Sequence, residues 1–338
     1  MDDSVNITAA DDVRADVPRG ELVSIITPVY NAAATLERCV DSLRAQTHRN
    51  LQILLVDDGS SDGSPALCDE LAARDARIEV IHQTNGGPAA ARNAGLDATR
   101  GEWLMFVDSD DCIEAGYITD LLAVAAETQA DVVVSDSTFV EEGRTRHFGM
   151  VVPDMFYGER DELWQDFLSD RIPWSLWAKL YRTELFEGLR FDPADYIAED
   201  LDANARIFAR EDLRVATSAN TGYCYTVAQG SVDHSFTERH LCQFDIFERV
   251  VQLVEREGIQ TTTSAEVFYE ERMLNCLRKA LTAKALTPQI EDAFKRAIAL
   301  HRAEVLADPN ASSGLKLRMR ATRLGPKAYG VLNKLYPG

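Results

Sequence analysis

Three patterns are missing from this sequence, and each absence argues against a class of protein. No apolar run reaches the roughly 18 residues that a membrane-spanning helix needs. No Gly-x-Gly-x-x-Gly follows the first predicted strand, which argues against a dinucleotide-binding dehydrogenase. The loop after that strand, PVYNAAAT, lacks glycine and basic residues, and this disfavours a nucleotidyltransferase that must hold a triphosphate.

Paired cysteines and positive charge are also scarce. The six cysteines form no C-x-x-C pair, so neither a zinc site nor a thioredoxin-type motif is indicated, and we expect buried free thiols. The formal net charge of -20 argues against a nucleic-acid partner, because such proteins usually present a basic face. Residues 1–20 are acidic and polar and do not resemble a signal peptide, so we expect a disordered leader.

The most informative stretch is GEWLMFVDSDD, residues 101–111. Its apolar run predicts a strand buried on both faces that ends at Asp108, Asp110 and Asp111. Acids are rarely buried without a partner, so this cluster needs a cation or a solvent-filled crevice. Two carboxylates separated by one residue suit a hard divalent ion that also binds substrate phosphates. The alternative is a solvated acidic loop that caps the next helix.

Strands and helices alternate through the first 136 residues. Strands are predicted at 22–27, 51–56, 78–82, 103–107 and 131–135, and helices at 33–46, 62–74, 89–99 and 117–129. This alternation predicts an α/β fold with a Rossmann-like, mostly parallel sheet flanked by helices. Right-handed crossovers place the carboxyl ends of the strands on one edge, so residues 28–31, 57–58 and 108–111 should converge there as a ligand site.

The second half of the chain turns helical. Glu199 and Asp200 form another acidic cluster at the start of a helix predicted to end near residue 210, where helix capping is the alternative role. Further helices are predicted at 244–257, 265–285 and 289–307. After Asp308 the chain has six cations and no acid, interleaved with apolar residues. This basic tail predicts an amphipathic helix that lies on an anionic membrane surface or docks on the acidic body.

Six segments, in this order, resemble those of family 2 glycosyltransferases with the GT-A fold. They are VSIITPVYN (23–31), VDDGSSDGS (56–64), NGGPAAARNAGL (85–96), FVDSDD (106–111), WAKLYR (177–182) and AEDL (198–201). The resemblance covers about residues 22–233 and leaves the later helices outside it. It implies inverting sugar transfer from a nucleotide-sugar, most often a UDP-sugar, with Mn²⁺ or Mg²⁺ as cofactor.

The resemblance also implies roles for residues in the nucleotide half. Pro28, Tyr30 and Asp58 would line the base pocket, with Asp58 accepting a hydrogen bond from the uracil imide. Arg92 or its neighbour Asn93 would face the nucleotide or the sugar.

Around the acidic segment, the resemblance places Asp108 against ribose or sugar hydroxyls, with Ser109 in the same nucleotide site. Asp110 would bind the metal, and Asp111 and His234 are further candidate ligands. A surface role is the alternative for His234.

On the acceptor side, Asp200 would be the general base with Glu199 beside it, and Trp177 and Lys179 would shape the pocket. A base is needed because the acceptor hydroxyl is a poor nucleophile. In-line attack requires the base and the metal carboxylate on opposite sides of the sugar.

We therefore expect a leader (1–20), a GT-A domain (21–235, with its nucleotide half at about 21–136 and its acceptor half at about 137–235) and a helical region (236–338). The acceptor would be a polymeric, lipid-linked or protein-linked glycan of cell-surface polysaccharide synthesis. We expect a cytoplasmic enzyme at the inner face of the membrane, with a homodimer interface available on the C-terminal helices. The alternative function is a non-catalytic sugar-nucleotide binder or a scaffolding subunit of a glycan assembly complex.

Overall fold

The computed structural model describes residues 6–8, 21–141, 144–195, 197–226, 236–325 and 329–330. The chain divides into two compact units. The first lies within residues 1–159, 171–194 and 210–228, and the second within 160–170, 195–209 and 229–338. Residues 160–170 and 195–209, which we expected in the acceptor half of the GT-A domain, therefore belong to the helical unit. No single cut near residue 235 separates the two units.

One mixed sheet forms the centre of the first unit. Its strands, among the described residues, are β1 (Asn6–Thr8), β2 (Val23–Val29), β3 (Leu51–Asp58), β4 (Ile78–Gln83), β5 (Trp103–Phe106), β6 (Cys112–Ile113), β7 (Val132–Glu141), β8 (Arg144–His147), β9 (Phe156–Tyr157), β10 (Lys179–Arg182) and β11 (Val215–Thr226). Their order is β1-β4-β3-β2-β5-β10-β7-β11-β6, with β8 beside β7 and β9 beside β11. Strands β4, β3, β2 and β5 are parallel.

Helices flank this sheet, which confirms the predicted α/β class. They are α1 (Leu36–Arg44), α2 (Ser64–Arg74), α3 (Pro88–Ala98) and α4 (Tyr117–Thr128), followed by a short 3-10 helix (Thr183–Phe186). All eight residues of β3 are buried, as expected for a parallel strand covered on both faces. Helix α3 lies very close to β2, because a Cβ added at Gly95 would be 2.5 Å from Cγ2 of Ile26. Only glycine fits that contact.

Strands β1 and β10 are among those that differ from the sequence-based expectation. Strand β10 was not predicted, yet it lies antiparallel between β5 and β7, pairing Tyr181 with Leu104 and Leu180 with Val133. The expectation of a disordered leader is wrong for Asn6–Thr8, which pairs with β4. Strand β4 otherwise presents unpaired backbone groups along the edge of the sheet, and these attract an additional strand.

The second unit is helical. It contains α5 (Arg160–Leu168), α6 (Glu199–Phe208), a 3-10 turn (Glu238–Leu241), α7 (Cys242–Glu257), α8 (Ala265–Thr282), α9 (Pro288–Leu300), α10 (Arg302–Ala307) and α11 (Ser313–Thr322). The single helix predicted at 289–307 is two helices that meet at His301, whose Nε2 lies 2.7 Å from Oε2 of Glu248. None of the helices described here is long and apolar enough to cross a membrane.

Candidate active site

The carboxyl ends of three adjacent strands form the candidate site in the first unit. Val29 pairs with Asp57, and Ile26 pairs with Phe106, so the residues that follow β2, β3 and β5 lie side by side. The loop after β2 is fastened to the loop after β3, because Oδ1 of Asn31 accepts from the backbone N of Ser61 at 2.8 Å. The predicted convergence at this edge is therefore present in the structure.

Asp58 is a buried carboxylate that binds the backbone of the loop just before α3. Its Oδ1 accepts hydrogen bonds from Nε2 of Gln83 at 2.7 Å and the backbone N of Gly86 at 2.8 Å, and its Oδ2 accepts from the backbone N of Gly87 at 2.8 Å. Gly87 has φ +86°, a conformation that favours glycine. A carboxylate oxygen accepts two hydrogen bonds, so Oδ2 keeps capacity for a ligand donor.

Beside Asp58, Pro28 is half-buried at the end of β2, and Tyr30 is 55% exposed. An exposed aromatic ring at this edge is available to stack on a planar base. The predicted roles of Pro28, Tyr30 and Asp58 in the base pocket stay predictions.

His82 was not singled out from the sequence, since a histidine within a strand carries no distinctive signal. Its Nδ1 lies 2.9 Å from Oδ2 of Asp57 and its Nε2 3.1 Å from Oδ1 of Asp69. Burial disfavours the charged imidazole, but these two carboxylates outweigh it and raise the pKa of His82. The histidine thereby supports Asp57, whose Oδ1 accepts from the backbone N of Ser60 at 3.1 Å.

The side chains of Arg92 and Asn93 of α3 make different contacts, which indicate different roles. The amide of Asn93 is bonded twice to the backbone of Phe191: Nδ2 donates to its carbonyl at 2.8 Å, and Oδ1 accepts from its N at 3.0 Å. The buried Arg92 guanidinium lies 3.8 Å from Oδ1 of Asp108 and 5.9 Å from the ring centroid of Phe191. This geometry favours Arg92 over Asn93 as the residue that meets a phosphate or sugar.

Asp111 is buried at the end of the acidic segment. Its Oδ2 accepts from the hydroxyl of Tyr223 at 2.7 Å and its Oδ1 from the backbone N of Thr226 at 2.8 Å. Burial and the charge of Asp108 raise the pKa of Asp111 well above its usual range. The contacts favour a structural role that ties this segment to β11, and the expected place of Asp111 among the metal ligands stays a prediction.

Asp108 and Asp110 are the accessible carboxylates of the segment. The Asp108 side chain is 33% exposed, and Asp110 and Ser109 are partly exposed. Burial raises the pKa of Asp110, while the nearby positive charge of Arg38 lowers it. Arg38 of α1, which was not predicted, donates to the backbone carbonyl of Asp110 and to Oγ1 of Thr226. Arg38 thereby fixes the backbone of Asp110, the candidate metal ligand.

These residues fit a Mn²⁺ or Mg²⁺ ion that takes some of its ligands from the substrate. Within the part of the chain that the structure describes, no three His, Cys, Asp or Glu side chains cluster to hold a metal. Small divalent ions commonly use one or two carboxylates together with substrate phosphates and water, and Asp110 with Asp108 supplies that number. His234, the other candidate ligand, lies outside the described residues.

The two acceptor-side candidates of the first unit differ in exposure. Trp177 is partly exposed and stacks on Tyr223 and Tyr225, with ring centroids 5.1 and 5.2 Å away. Lys179 is fully buried, and its Nζ donates to the carbonyl of Ser175 at 2.6 Å. An acceptor could reach Trp177 directly, whereas Lys179 holds the backbone beneath it.

Glu199 and Asp200 lie in the second unit, in the first turn of α6. Ala198 precedes them with φ +71°, and the side chain of Asn204 donates to the carbonyl of Asp200 at 3.1 Å. Carboxylates in this turn are favoured by the helix dipole, so helix stabilisation and general-base chemistry both remain open to them.

The sequence relatives define the class of this domain. Residues 24–188 match the model of glycosyl transferase family 2. GlyA, a glycosyltransferase of Streptococcus pneumoniae, is 34% identical over 226 residues, which are 64% of this chain and 32% of GlyA. EpsH of Bacillus subtilis is 30% identical over 271 residues, covering 77% of this chain and 72% of EpsH. The chain belongs to glycosyl transferase family 2, and it spans about a third of the length of GlyA.

Further comparisons extend over most of the chain. The succinoglycan biosynthesis protein ExoO of Rhizobium meliloti is 28% identical over 88% of this chain and 85% of its own. S. aureus TarS 1–349 in complex with UDP-GlcNAc has a TM-score of 0.69 at 20% identity, covering 94% of this chain and 91% of that one. The mannosyltransferase PcManGT of Pyrobaculum calidifontis, in complex with GDP-Man and Mn²⁺, has a TM-score of 0.52 at 18% identity, over 94% of this chain and 88% of that one. The structural likeness confirms the GT-A fold.

Proposed function

We propose that this protein is an inverting glycosyltransferase that moves a sugar from a nucleotide-sugar to an acceptor hydroxyl. The observation that carries this proposal is the meeting of Asp58, Arg92, Asp108 and Asp110 at one edge of the parallel sheet, beside the exposed ring of Tyr30. A base, a ribose and a diphosphate each find a suitable partner along this edge.

The donor diphosphate is held by charge. Asp110, with Asp108 beside it, would hold a divalent ion that neutralises the charge of the leaving diphosphate. Arg92, 3.8 Å from Oδ1 of Asp108, supplies a second positive group, and its burial strengthens its attraction for phosphate. Tyr30 stacks on the base, and Asp58 accepts from a base imide through the remaining capacity of Oδ2.

The acceptor step requires a base. Asp200, with Glu199 beside it, removes the proton of the acceptor hydroxyl as that oxygen attacks the anomeric carbon, and the bond from this carbon to the diphosphate breaks. Trp177 provides a flat apolar surface on which a sugar ring of the acceptor can lie.

A UDP-sugar is the proposed donor. UDP-GlcNAc is bound in the TarS structure, and GDP-Man with Mn²⁺ in that of PcManGT, so both kinds of nucleotide-sugar occur on this fold. The name of ExoO supports an acceptor from polysaccharide synthesis. A non-catalytic binding or scaffolding subunit is the competing function, and it retains donor binding without transfer.

We also propose that the enzyme works at an anionic membrane surface on the cytoplasmic side. Leu317 of helix α11 is 44% exposed, and Leu324, two residues beyond the end of this helix, is 82% exposed, with the exposed Arg320 between them in the sequence. Exposed leucines with an exposed arginine between them suit the boundary between lipid headgroups and acyl chains.

The first experiment is calorimetric titration with UDP, GDP, TDP and CDP, each with and without Mn²⁺. We expect metal-dependent binding of UDP alone, and its loss in Asp110→Asn. The matched control is Asp41→Asn, an exposed acid of α1. Binding of none of the four nucleotides would contradict the donor site, whereas binding without any transfer from UDP-sugars to a glycan acceptor would favour the scaffolding function.

A further inference from the structure

Two of the cysteines face each other across neighbouring strands. Cys112 of β6 and Cys224 of β11 are directly opposite in an antiparallel pair, and both are partly exposed free thiols. By contrast, Cys39, Cys68 and Cys276 are buried. The two facing thiols are thus both close to each other and accessible to a small reagent.

The strand geometry brings these residues within reach of a disulfide. Two positions along the same ladder, the backbone N of Glu114 donates to the carbonyl of Gly222 at 2.8 Å. Hydrogen-bonded and non-hydrogen-bonded residue pairs alternate along an antiparallel ladder. Cys112 and Cys224 therefore also form a hydrogen-bonded backbone pair, in which the Cα atoms lie about 5.5 Å apart. Disulfides span Cα separations of roughly 4.4–6.8 Å, so the bond is within reach once the two strands draw closer and bring the Cβ atoms to about 3.5–4.5 Å.

We propose that Cys112 and Cys224 are an oxidation site that a hydroperoxide converts to an intramolecular disulfide. The sulfur of one thiol attacks the peroxide, the O–O bond breaks, and a sulfenic acid and water (or an alcohol) are formed. The second thiol then attacks the sulfenic sulfur, the S–O bond breaks and another water leaves. The peroxide gains the two electrons that the thiols lose, and an external dithiol reverses the change.

The position of this pair gives its oxidation a consequence, which rests on the proposed function. Cys112 follows Asp110 by two residues, and Cys224 precedes Thr226, whose hydroxyl accepts from Arg38. A disulfide holds its sulfurs about 2.05 Å apart, closer than two unbonded thiols, so the segment that carries Asp110 must shift. Loss of the contacts that orient a metal ligand lowers metal affinity by about 10–100-fold. We expect the disulfide to weaken Mn²⁺-dependent UDP binding by about tenfold.

The test is exposure of the full chain to hydrogen peroxide, alkylation of the remaining thiols and peptide mapping by mass spectrometry without reductant. We expect one crosslink between the peptides of Cys112 and Cys224, and its absence in Cys112→Ser and Cys224→Ser. The matched control is Cys242→Ser, which removes another partly exposed cysteine and should leave the crosslink intact. Alkylation of both thiols after peroxide treatment, or overoxidation of Cys112 with Cys224 still free, would overturn the proposal.

Titration of reduced and oxidised protein with UDP and Mn²⁺ separates the two proposals. If the crosslink forms but even reduced protein binds no nucleotide, the proposed function fails while the oxidation site stands. Equal affinity of the two forms would overturn the coupling between the disulfide and the site. Restoration of binding by dithiothreitol in the wild type, with no peroxide effect in Cys224→Ser, is the result we expect.

Discussion

The hydroxyl of Tyr223 donates to Oδ2 of Asp111 at 2.7 Å, and the two residues are 112 positions apart in the sequence. Both side chains are fully buried. Burial raises the pKa of Tyr223 well above its usual range, and the charges of Asp111 and Asp108 raise it further, so the phenol keeps its proton and acts as the donor. The contact joins the segment between β5 and β6 to β11 and fixes the acidic segment in place.

Removal of this hydroxyl tests its structural importance. In Tyr223→Phe, Oδ2 of Asp111 loses a buried partner, and we expect a loss of about 1–3 kcal/mol in the free energy of unfolding. Urea denaturation monitored by tryptophan fluorescence measures the change. Tyr225→Phe is the control, since this neighbouring ring also stacks on Trp177 but lies partly exposed. Equal stability of Tyr223→Phe and the wild type would show that water or another donor replaces the phenol.

The two neighbours on α3 provide a prediction that separates support from ligand binding. We expect Asn93→Ala to lower the free energy of unfolding by about 1–3 kcal/mol, because two backbone groups of Phe191 lose their partner. The folded fraction should keep its affinity for UDP. Arg92→Met should instead weaken UDP binding by about tenfold or more, consistent with the roughly 1.5–3 kcal/mol of a hydrogen bond to a charged group.

Calorimetry and urea denaturation on both variants provide the measurements. Arg100→Met is the matched control for Arg92, since it removes an exposed arginine that pairs with Glu79 just beyond the same helix. A loss of UDP affinity in Asn93→Ala, with Arg92→Met unaffected, would reverse the two roles.

The sequence predicts the strands and helices of the nucleotide half because apolar periodicity is strong there. The run ending at Asp108 and the β-branched run from Val23 are fully buried strands, as predicted. Strand β10 was missed because the segment around it is rich in aromatics and only four residues long, and its pairing with β5 and β7 depends on contacts distant in sequence.

Residue types predict which side chains can do chemistry, but not which of them are already engaged. Asn93, Asp111 and Lys179 all lie in the expected segments, and the fold engages each in hydrogen bonds to other groups of the protein. Arg38 and His82 act on the site from α1 and β4, and no pattern in the sequence distinguishes them from other charged or polar residues. Such assignments depend on side-chain packing, which local patterns do not encode.

Asp200→Asn tests the proposed base. We expect the variant to bind UDP and Mn²⁺ with unchanged affinity and to transfer sugar about 10²–10⁴-fold more slowly, since a general base contributes that much. A radiolabelled UDP-sugar assay measures transfer once an acceptor is identified, and calorimetry measures binding. Asp202→Asn, another acid in the first turn of α6, is the control for a loss of helix-dipole stabilisation. Wild-type turnover of Asp200→Asn would place the base elsewhere.

The exposed leucines in α11 and just after it provide a prediction about membranes. We expect the double variant Leu317→Gln/Leu324→Gln to bind vesicles containing anionic phospholipid less tightly, by about tenfold or more if roughly 1 kcal/mol is lost per leucine. Flotation with purified protein measures binding, and vesicles of neutral lipid are the comparison. Leu300→Gln, an exposed leucine of α9, is the matched control. Equal flotation of the double variant and the wild type would contradict membrane contact through this segment.

Glu270 of α8 links stability to pH in the helical unit. Its side chain is fully buried, and neither carboxyl oxygen has a hydrogen-bond partner among the described residues. Burial raises its pKa from 4.5 to about 9, although the charge of Arg302 opposes this shift. Between those two values the folded state holds a proton that the unfolded chain has released. The free energy of unfolding should therefore decrease as pH rises through this window.

Glu270→Gln removes the titrating group while keeping the shape of the side chain. We expect the stability difference between variant and wild type to grow in favour of the variant from pH 5 to pH 8, by at most about 1.4 kcal/mol per pH unit for one proton. Urea denaturation at several pH values measures it. Glu255→Gln, an exposed acid of α7, should leave the slope unchanged. Parallel pH profiles for Glu270→Gln and the wild type would mean that Glu270 is charged in the folded protein, with Arg302 compensating its burial.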